Sequence, residues 1–184
     1  MYKKLFKELA EKENGKFYYQ DNDIAIGGGV RSPNVIFKIK FKYKDNEFTI
    51  INRTGTAYVG TISCELSKDL QPIEFELNTI SHLKNLFLRK KSRFKINTHN
   101  RNLKDFLSKN SSLKLLSKIA DKEDFSPIIT CQNDCSWEIT TKYHLEFDNW
   151  TQVLEPIIEL YKELIDEFEK RIANISSKAY RELN

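Results

Sequence analysis

Apolar and polar residues alternate most strictly between Val35 and Lys44. Val35, Phe37, Ile39, Phe41 and Tyr43 hold one parity, and Ile36, Lys38, Lys40, Lys42 and Lys44 hold the other. A period of two belongs to a strand with one buried face. Asp45-Asn46 suits a two-residue turn, because both residues tolerate positive φ. The expected hairpin then pairs Lys44 with Glu47, Tyr43 with Phe48, Lys42 with Thr49 and Phe41 with Ile50. In that register the apolar side chains share one face and opposite charges meet beside the turn.

The rest of the chain divides by the same logic. Leu5 and Leu9 mark a short helix over Tyr2–Lys12, stopped by Asn14-Gly15. Residues 17–20 and 24–26 are short strand candidates around Asp21-Asn22-Asp23. Thr54-Gly55 turns the chain into a strand over 58–66, with Tyr58, Ile62, Cys64 and Leu66 on one side and Gly60 as a bulge or bend. Ile73, Phe75 and Leu77 alternate again. A meander of four or five antiparallel strands results.

Helical spacing follows at Ile80, Leu83, Leu86 and Phe87, after a cap at Asn78 or Thr79. Phe94 and Ile96 mark a short strand. Two short helices are expected at 101–109 and 112–120, the second entered through Ser111 or Ser112. Residues 128–131 and 137–143 form a second hairpin with Trp137, Ile139, Thr141 and Tyr143 on one face. The last element is a long amphipathic helix striped by Trp150, Val153, Leu154, Ile157, Tyr161, Leu164, Ile165, Phe168 and Ile172. Asn149 and Gln152 suit a capping box, and Pro156 either kinks the helix or shifts its start. The expected fold is therefore α+β: an antiparallel sheet of meander plus C-terminal hairpin, covered by helices.

With 184 residues, 40% of them hydrophobic, the chain is long and apolar enough for one domain over 1–175, with a frayed tail at 176–184. Charges at Lys7, Glu8, Glu11 and Lys12 interrupt any signal-peptide core, and no stretch suits a membrane span. A soluble cytoplasmic protein is expected, and the abundance of Lys, Asn and Ile suggests a bacterial source. Cys64, Cys131 and Cys135 make no disulfide framework.

Charge changes this picture more than composition does. Residues 82–118 hold eleven Lys and Arg against one acid, Asp105, and residues 121–169 hold thirteen acids against three Lys, inside a whole-chain charge of only +4. Such blocks either neutralise each other or face different partners. The expectation is that the acidic helix over 150–172 neutralises part of 84–118 and leaves a smaller cationic patch. Arg89, Lys90, Lys91, Arg93 and Lys95 are the candidate surface for an anionic partner, an acidic protein or, as the alternative, nucleic acid bound through 84–118. The lysines at 38, 40, 42 and 44 can also track phosphates, but the aromatics of that strand lie on its other face, away from any stacked base. The helices at 101–109 and 112–120 read as an ordinary corner rather than a helix-turn-helix, since their junction lacks the usual Gly.

Candidate chemistry is sparse. Gly27-Gly28-Gly29 leads into Val30-Arg31-Ser32-Pro33, without the Gly-Lys-Ser/Thr and helix of a phosphate loop. Cys131 and Cys135 flank three residues and have no second ligand pair, so two ordinary thiols are expected rather than zinc. His82, His99 and His144 are dispersed, and no nucleophile motif is present. Glu155, Glu159, Glu163 and Asp166 fit a solvated helix face. No cofactor, metal or catalytic residue is assigned. The favoured function is a non-catalytic binding or interaction protein. Nucleic-acid binding and an enzyme with a site assembled from dispersed residues are the alternatives. A pocket that gathers His99 or His144 with a carboxylate is the mark of the enzyme.

Overall fold

The computed structural model describes residues 2–55, 57–80 and 92–182, with side chains described as far as 173 and not at 26. The described residues form one eight-stranded antiparallel sheet of β1 (Lys16–Gly27), β2 (Val30–Tyr43), β3 (Asn46–Gly55), β4 (Val59–Glu65), β5 (Phe75–Thr79), β6 (Phe94–Asn97), β7 (Ile128–Asn133) and β8 (Trp137–His144). Four helices accompany it: α1 (Tyr2–Lys12), α2 (Arg101–Lys109), α3 (Ser111–Lys122) and α4 (Leu154–Glu182), the last led in by a 3-10 turn, Trp150–Val153. This is the α+β architecture that the patterning predicts. No helix among the described residues is long and apolar enough to cross a membrane.

The strand order is β1-β2-β3-β4-β8-β7-β5-β6. The meander thus stops at β4, and the late hairpin β7-β8 inserts between β4 and β5. Residues 17–27 are one strand rather than two, because β2 pairs with β1 regularly from Lys16↔Lys40 to Ala25↔Arg31. Gly28 and Gly29 close that hairpin, both at positive φ, as a two-residue turn between twisted strands requires.

The β2–β3 register differs from expectation by two residues. Tyr43 pairs with Asn46, Phe41 with Phe48 and Ile39 with Ile50, so Lys44-Asp45 form the turn and Lys44 takes a φ of 54°. A shift of two keeps every side chain on its face. Asn46 accounts for the shift: it is buried, donates from Nδ2 to the Tyr43 carbonyl at 3.2 Å and accepts the Ser67 N–H at 2.9 Å. A tip position in water loses both bonds. As expected, Phe37, Ile39, Phe41, Phe48 and Ile50 are buried and Lys42 is exposed, while Tyr43 on the core face and Lys38 and Lys40 on the other are half-buried.

Other differences have local causes. Gly60 sits in regular pairing opposite Tyr143, where a Cβ would approach that ring to 2.3 Å, so its role is to admit the Tyr143 side chain. Tyr58 lies outside β4 and is exposed, while Ile62, Cys64 and Leu66 are buried. Asn78 and Thr79 belong to β5 rather than to a helix cap; the helix expected through Leu83, Leu86 and Phe87 lies outside the described residues. Asn110, one residue before Ser111, caps α3 by accepting the Leu113 N–H. Asn149 makes no side-chain cap bond. Pro156 falls in the first turn of α4, where a missing N–H costs nothing, so it marks the start and leaves no kink to explain.

The core lies between the inner sheet face and the helices. Trp150, Val153, Leu154, Ile157, Ile158, Leu160, Tyr161, Leu164, Ile165 and Phe168 are all buried. The first turns of α4 are buried on most sides, with Glu155 and Glu159 left exposed, and α3 packs against the helix. Tyr161 pins α4 to the sheet centre: its hydroxyl lies 2.8 Å from Thr141 Oγ1 and donates to the Ile62 carbonyl at 3.1 Å.

Candidate functional site

Of the five residues expected to form the anionic-partner surface, Arg89, Lys90 and Lys91 lie outside the described residues. Arg93 corrects the expectation, because it is only 2% exposed. Its Nε donates to the Ile80 carbonyl at 2.7 Å, its Nη1 to the Ala120 carbonyl at 2.9 Å, and Asp121 Oδ1 lies 3.4 Å from Nη1. Ala120 and Asp121 belong to the last turn of α3, where carbonyls lack helical partners and a cation is stabilising. Arg93 is a clamp inside the fold. Lys95 is exposed on β6.

Among the described residues the acidic helix finds its cations outside the basic stretch. Glu155 meets Lys12 at 3.0 Å, and Lys44 meets Asp166 at 2.7 Å and also pairs with Glu169. Those two hydrogen bonds raise the Lys44 pKa. Lys162 pairs with Glu13 at 2.8 Å and Glu159 at 3.1 Å. Among the described residues the links to the basic stretch each have an uncharged partner: Asn110 Nδ2 donates to Glu163 at 2.6 Å, and Arg171 donates to Asn100 Oδ1 at 2.9 Å. Because α2 and α3 bury Leu103, Leu107, Leu113 and Leu116 in the core, their junction is a structural corner.

A second cationic group is open to solvent. The sheet face opposite the helices carries Lys16 and Tyr18 on β1, and Lys38, Lys40 and Lys42 on β2. Register sets Lys16 opposite Lys40 and Tyr18 opposite Lys38. Alternate residues along β2 stand roughly 7 Å apart, so the cations form a short ladder at one end of the sheet. Lys40 meets Glu47 at 2.9 Å, a contact that raises the lysine pKa and lowers that of the carboxylate. Among the described residues Lys16, Lys38 and Lys42 have no ion pair. Acids of the same face include the cross-strand row Glu47↔Glu65↔Glu138 and, toward the other end of the sheet, Glu76 opposite Thr130.

Tyr18 is what sequence reading missed. Its ring is 49% exposed on the lysine face, whereas the aromatics of β2 point inward. Taking β1 as two fragments left no register between Tyr18 and Lys38. A two-glycine turn at 28–29 was the signal that supplies it.

Some of the remaining chemistry-bearing residues share a cleft. A cleft of about 630 Å³ gathers His99 with Glu74, Glu76 and Lys104, which is the juxtaposition that marks the enzyme alternative. Within it Glu76 is bonded to Asn78 and accepts Asn97 Nδ2 at 3.4 Å. Among the described residues His99 has no hydrogen bond to a carboxylate, and no group of three or more His, Cys, Asp or Glu side chains is placed to hold a metal ion. Cys131 faces the core, where burial pushes its thiol pKa up to about 12, while Cys135 is exposed; both are free thiols. A thiol so raised is a poor nucleophile. Comparison of the chain with protein-family models, curated proteins and solved structures finds no match.

Proposed function

We propose that this chain is a non-catalytic binding protein that receives an anionic partner on the cationic end of its open sheet face. The observation that carries this reading is the ladder of Lys16, Lys38, Lys40 and Lys42 around the exposed ring of Tyr18, on a face that the described helices leave uncovered. The Lys40–Glu47 contact joins two substantially exposed side chains, and such pairs contribute only about 0–1 kcal/mol. Lys40 is therefore cheaply released to a partner. Clustered cations steer an anionic partner and set its orientation more than they set affinity. Three free thiols suit a reducing cytoplasm as the place of action.

Nucleic acid is the second reading, favoured by Tyr18, because a single-stranded base can stack on a ring flanked by lysines. Glu47, Glu65 and Glu138 on the same face oppose a longer phosphate track. Titration of labelled poly-glutamate, single-stranded DNA and single-stranded RNA at about 20 mM and about 150 mM salt separates the readings. Poly-glutamate binding at low salt, lost in a Lys16→Glu/Lys38→Glu variant, is the expected result. Tight oligonucleotide binding that survives the higher salt puts the second reading in its place. Binding that ignores the charge reversal removes the site.

A further inference from the structure

Given the anionic partner proposed above, we infer that the partner is a protein segment that adds to the sheet as an extended strand along the outer edge of β1, with acidic side chains beside residues 16–20. β1 ends the strand order and is twelve residues long. Among the described residues no strand pairs with its outer side. The backbone N–H and C=O groups that point away from β2 are therefore a template for another strand. Proteins usually blunt such an edge by shortening it, bulging it, inserting Pro or covering it. Residues 16–25 are not shortened, bulged or interrupted by Pro: the register with β2 is regular throughout and first breaks between Ala25 and Gly27. α1 packs on the inner face of this strand, with Phe6 against Phe17, but residues 18–25 are all exposed, and the edge is guarded by the charges of Lys16, Asp21 and Asp23. The other end of the sheet is protected by a strand of only four residues.

Charge selects the occupant. An added strand sends its side chains alternately to the two sheet faces. On the outer face they meet Lys16, Tyr18 and, one strand further in, Lys38 and Lys40. On the inner face they meet Tyr19, with Lys3 Nζ 4.1 Å from the centre of its ring. Acidic residues at successive positions thus find a cation on either face of residues 16–20. Asp21 and Asp23 end this stretch, and Asp21 already accepts the Tyr19 hydroxyl at 2.8 Å. The same two carboxylates disfavour a second copy of this chain, because twofold pairing centred on 21–23 sets them against each other.

The probe is an end-capped peptide of about ten residues alternating Glu and Thr, long enough to match the edge, beside the same peptide with alternate backbone nitrogens methylated. Methylation keeps the charge and removes the donors that a strand needs. The unmodified peptide is expected to bind the full chain at low salt and to slow amide exchange at alternate residues of 16–20. Its affinity should fall about tenfold or more both on methylation and in Lys16→Glu/Lys38→Glu, while Lys95→Glu leaves it unchanged. Equal binding by the methylated peptide overturns strand addition and leaves the anionic-face reading standing. Protection centred away from β1 also overturns it. Oligonucleotide binding without peptide binding replaces it with the nucleic-acid reading. If neither peptide nor poly-glutamate binds at low salt, the proposed function falls as well.

Discussion

The two edges of this sheet are built in opposite ways. Each edge strand has a helix packed against it, α1 on β1 and α2 on β6, but β6 spans only four residues, and the residue before it, Arg93, is buried and bonded to two backbone carbonyls. β1 spans twelve residues, is exposed from Tyr18 through Ala25, and carries its cations on the open face. Both face the same problem, a row of unpaired backbone groups that invites another chain. One end solves it by closure. The other leaves the row open and surrounds it with charge, which admits a partner selectively. A basic residue can therefore mean different things at the two ends. Arg93 spends its charge on the fold, whereas Lys16, Lys38 and Lys42 leave theirs outward.

The strongest way to break this contrast is at the closed end. Arg93→Ala leaves the Ile80 and Ala120 carbonyls without their guanidinium donor in a buried setting. Each orphaned group costs about 1–3 kcal/mol, so a loss of about 2–4 kcal/mol is expected in a urea melt, with the midpoint falling at an unchanged slope. Arg93→Lys should recover only part of it, since an ammonium cannot reproduce a planar fork. A loss below about 0.5 kcal/mol removes Arg93 as a clamp and with it half of the comparison.

Arg93 also shows where sequence reading stops. It stands among Lys90, Lys91 and Lys95 and looks like one more surface cation. The carbonyls that capture it come from Ile80 and Ala120, 13 and 27 residues away, and no local pattern announces such partners. By contrast, the inward set Phe37, Ile39 and Phe41 was legible because burial of one sheet face imposes a period of two on the chain itself. The stripe of α4 was legible for the same reason at a period of 3.6. Strand order was not: β5 follows β4 in the chain yet pairs with β7, a choice made between whole elements rather than within one. The β2–β3 register fell between these cases, because the face was local information but the turn depended on Asn46 reaching Ser67. Of the candidate site, the lysines were visible and Tyr18 was not, since its face depends on pairing across the Gly28-Gly29 turn.

A middle-sized effect sharpens the comparison through the thiols. Cys131 lies on the inner face of β7, next to β5, and burial raises its pKa to about 12. Burial also raises Cys64, Tyr143 and Tyr161. A folded-state pKa above the unfolded value contributes stability that is complete below the unfolded pKa and is lost as pH rises. The Cys131 contribution should thus be intact below about pH 8.5 and decline up to about 12. The urea midpoint is expected to fall across this window. At neutral pH a thiol reagent should label Cys135 at once and reach Cys131 and Cys64 only through opening of the structure. Arg93→Ala should speed the Cys131 reaction by loosening the nearby edge. Immediate labelling of Cys131 in the unaltered protein contradicts the closed end.

The smallest expected effect belongs to the open edge and carries most of its meaning. Tyr18 is half exposed, and neither its hydroxyl nor the Lys38 ammonium is built into the core. Tyr18→Ala and Lys38→Ala should therefore change stability by no more than about 0.5 kcal/mol, the range of surface substitutions away from packing, caps and buried bonds. Both should nevertheless weaken binding of the acidic peptide, because Tyr18 supplies contact surface on the edge strand and Lys38, opposite it on β2, supplies charge on the same sheet face. Urea melts and peptide titrations on the same two variants measure the two quantities independently. A stability loss above about 1 kcal/mol from either variant makes the residue part of the fold, as Arg93 is, and erases the difference between the edges. Unchanged stability with weakened binding assigns these residues to a partner, since the isolated fold then gives them nothing to do.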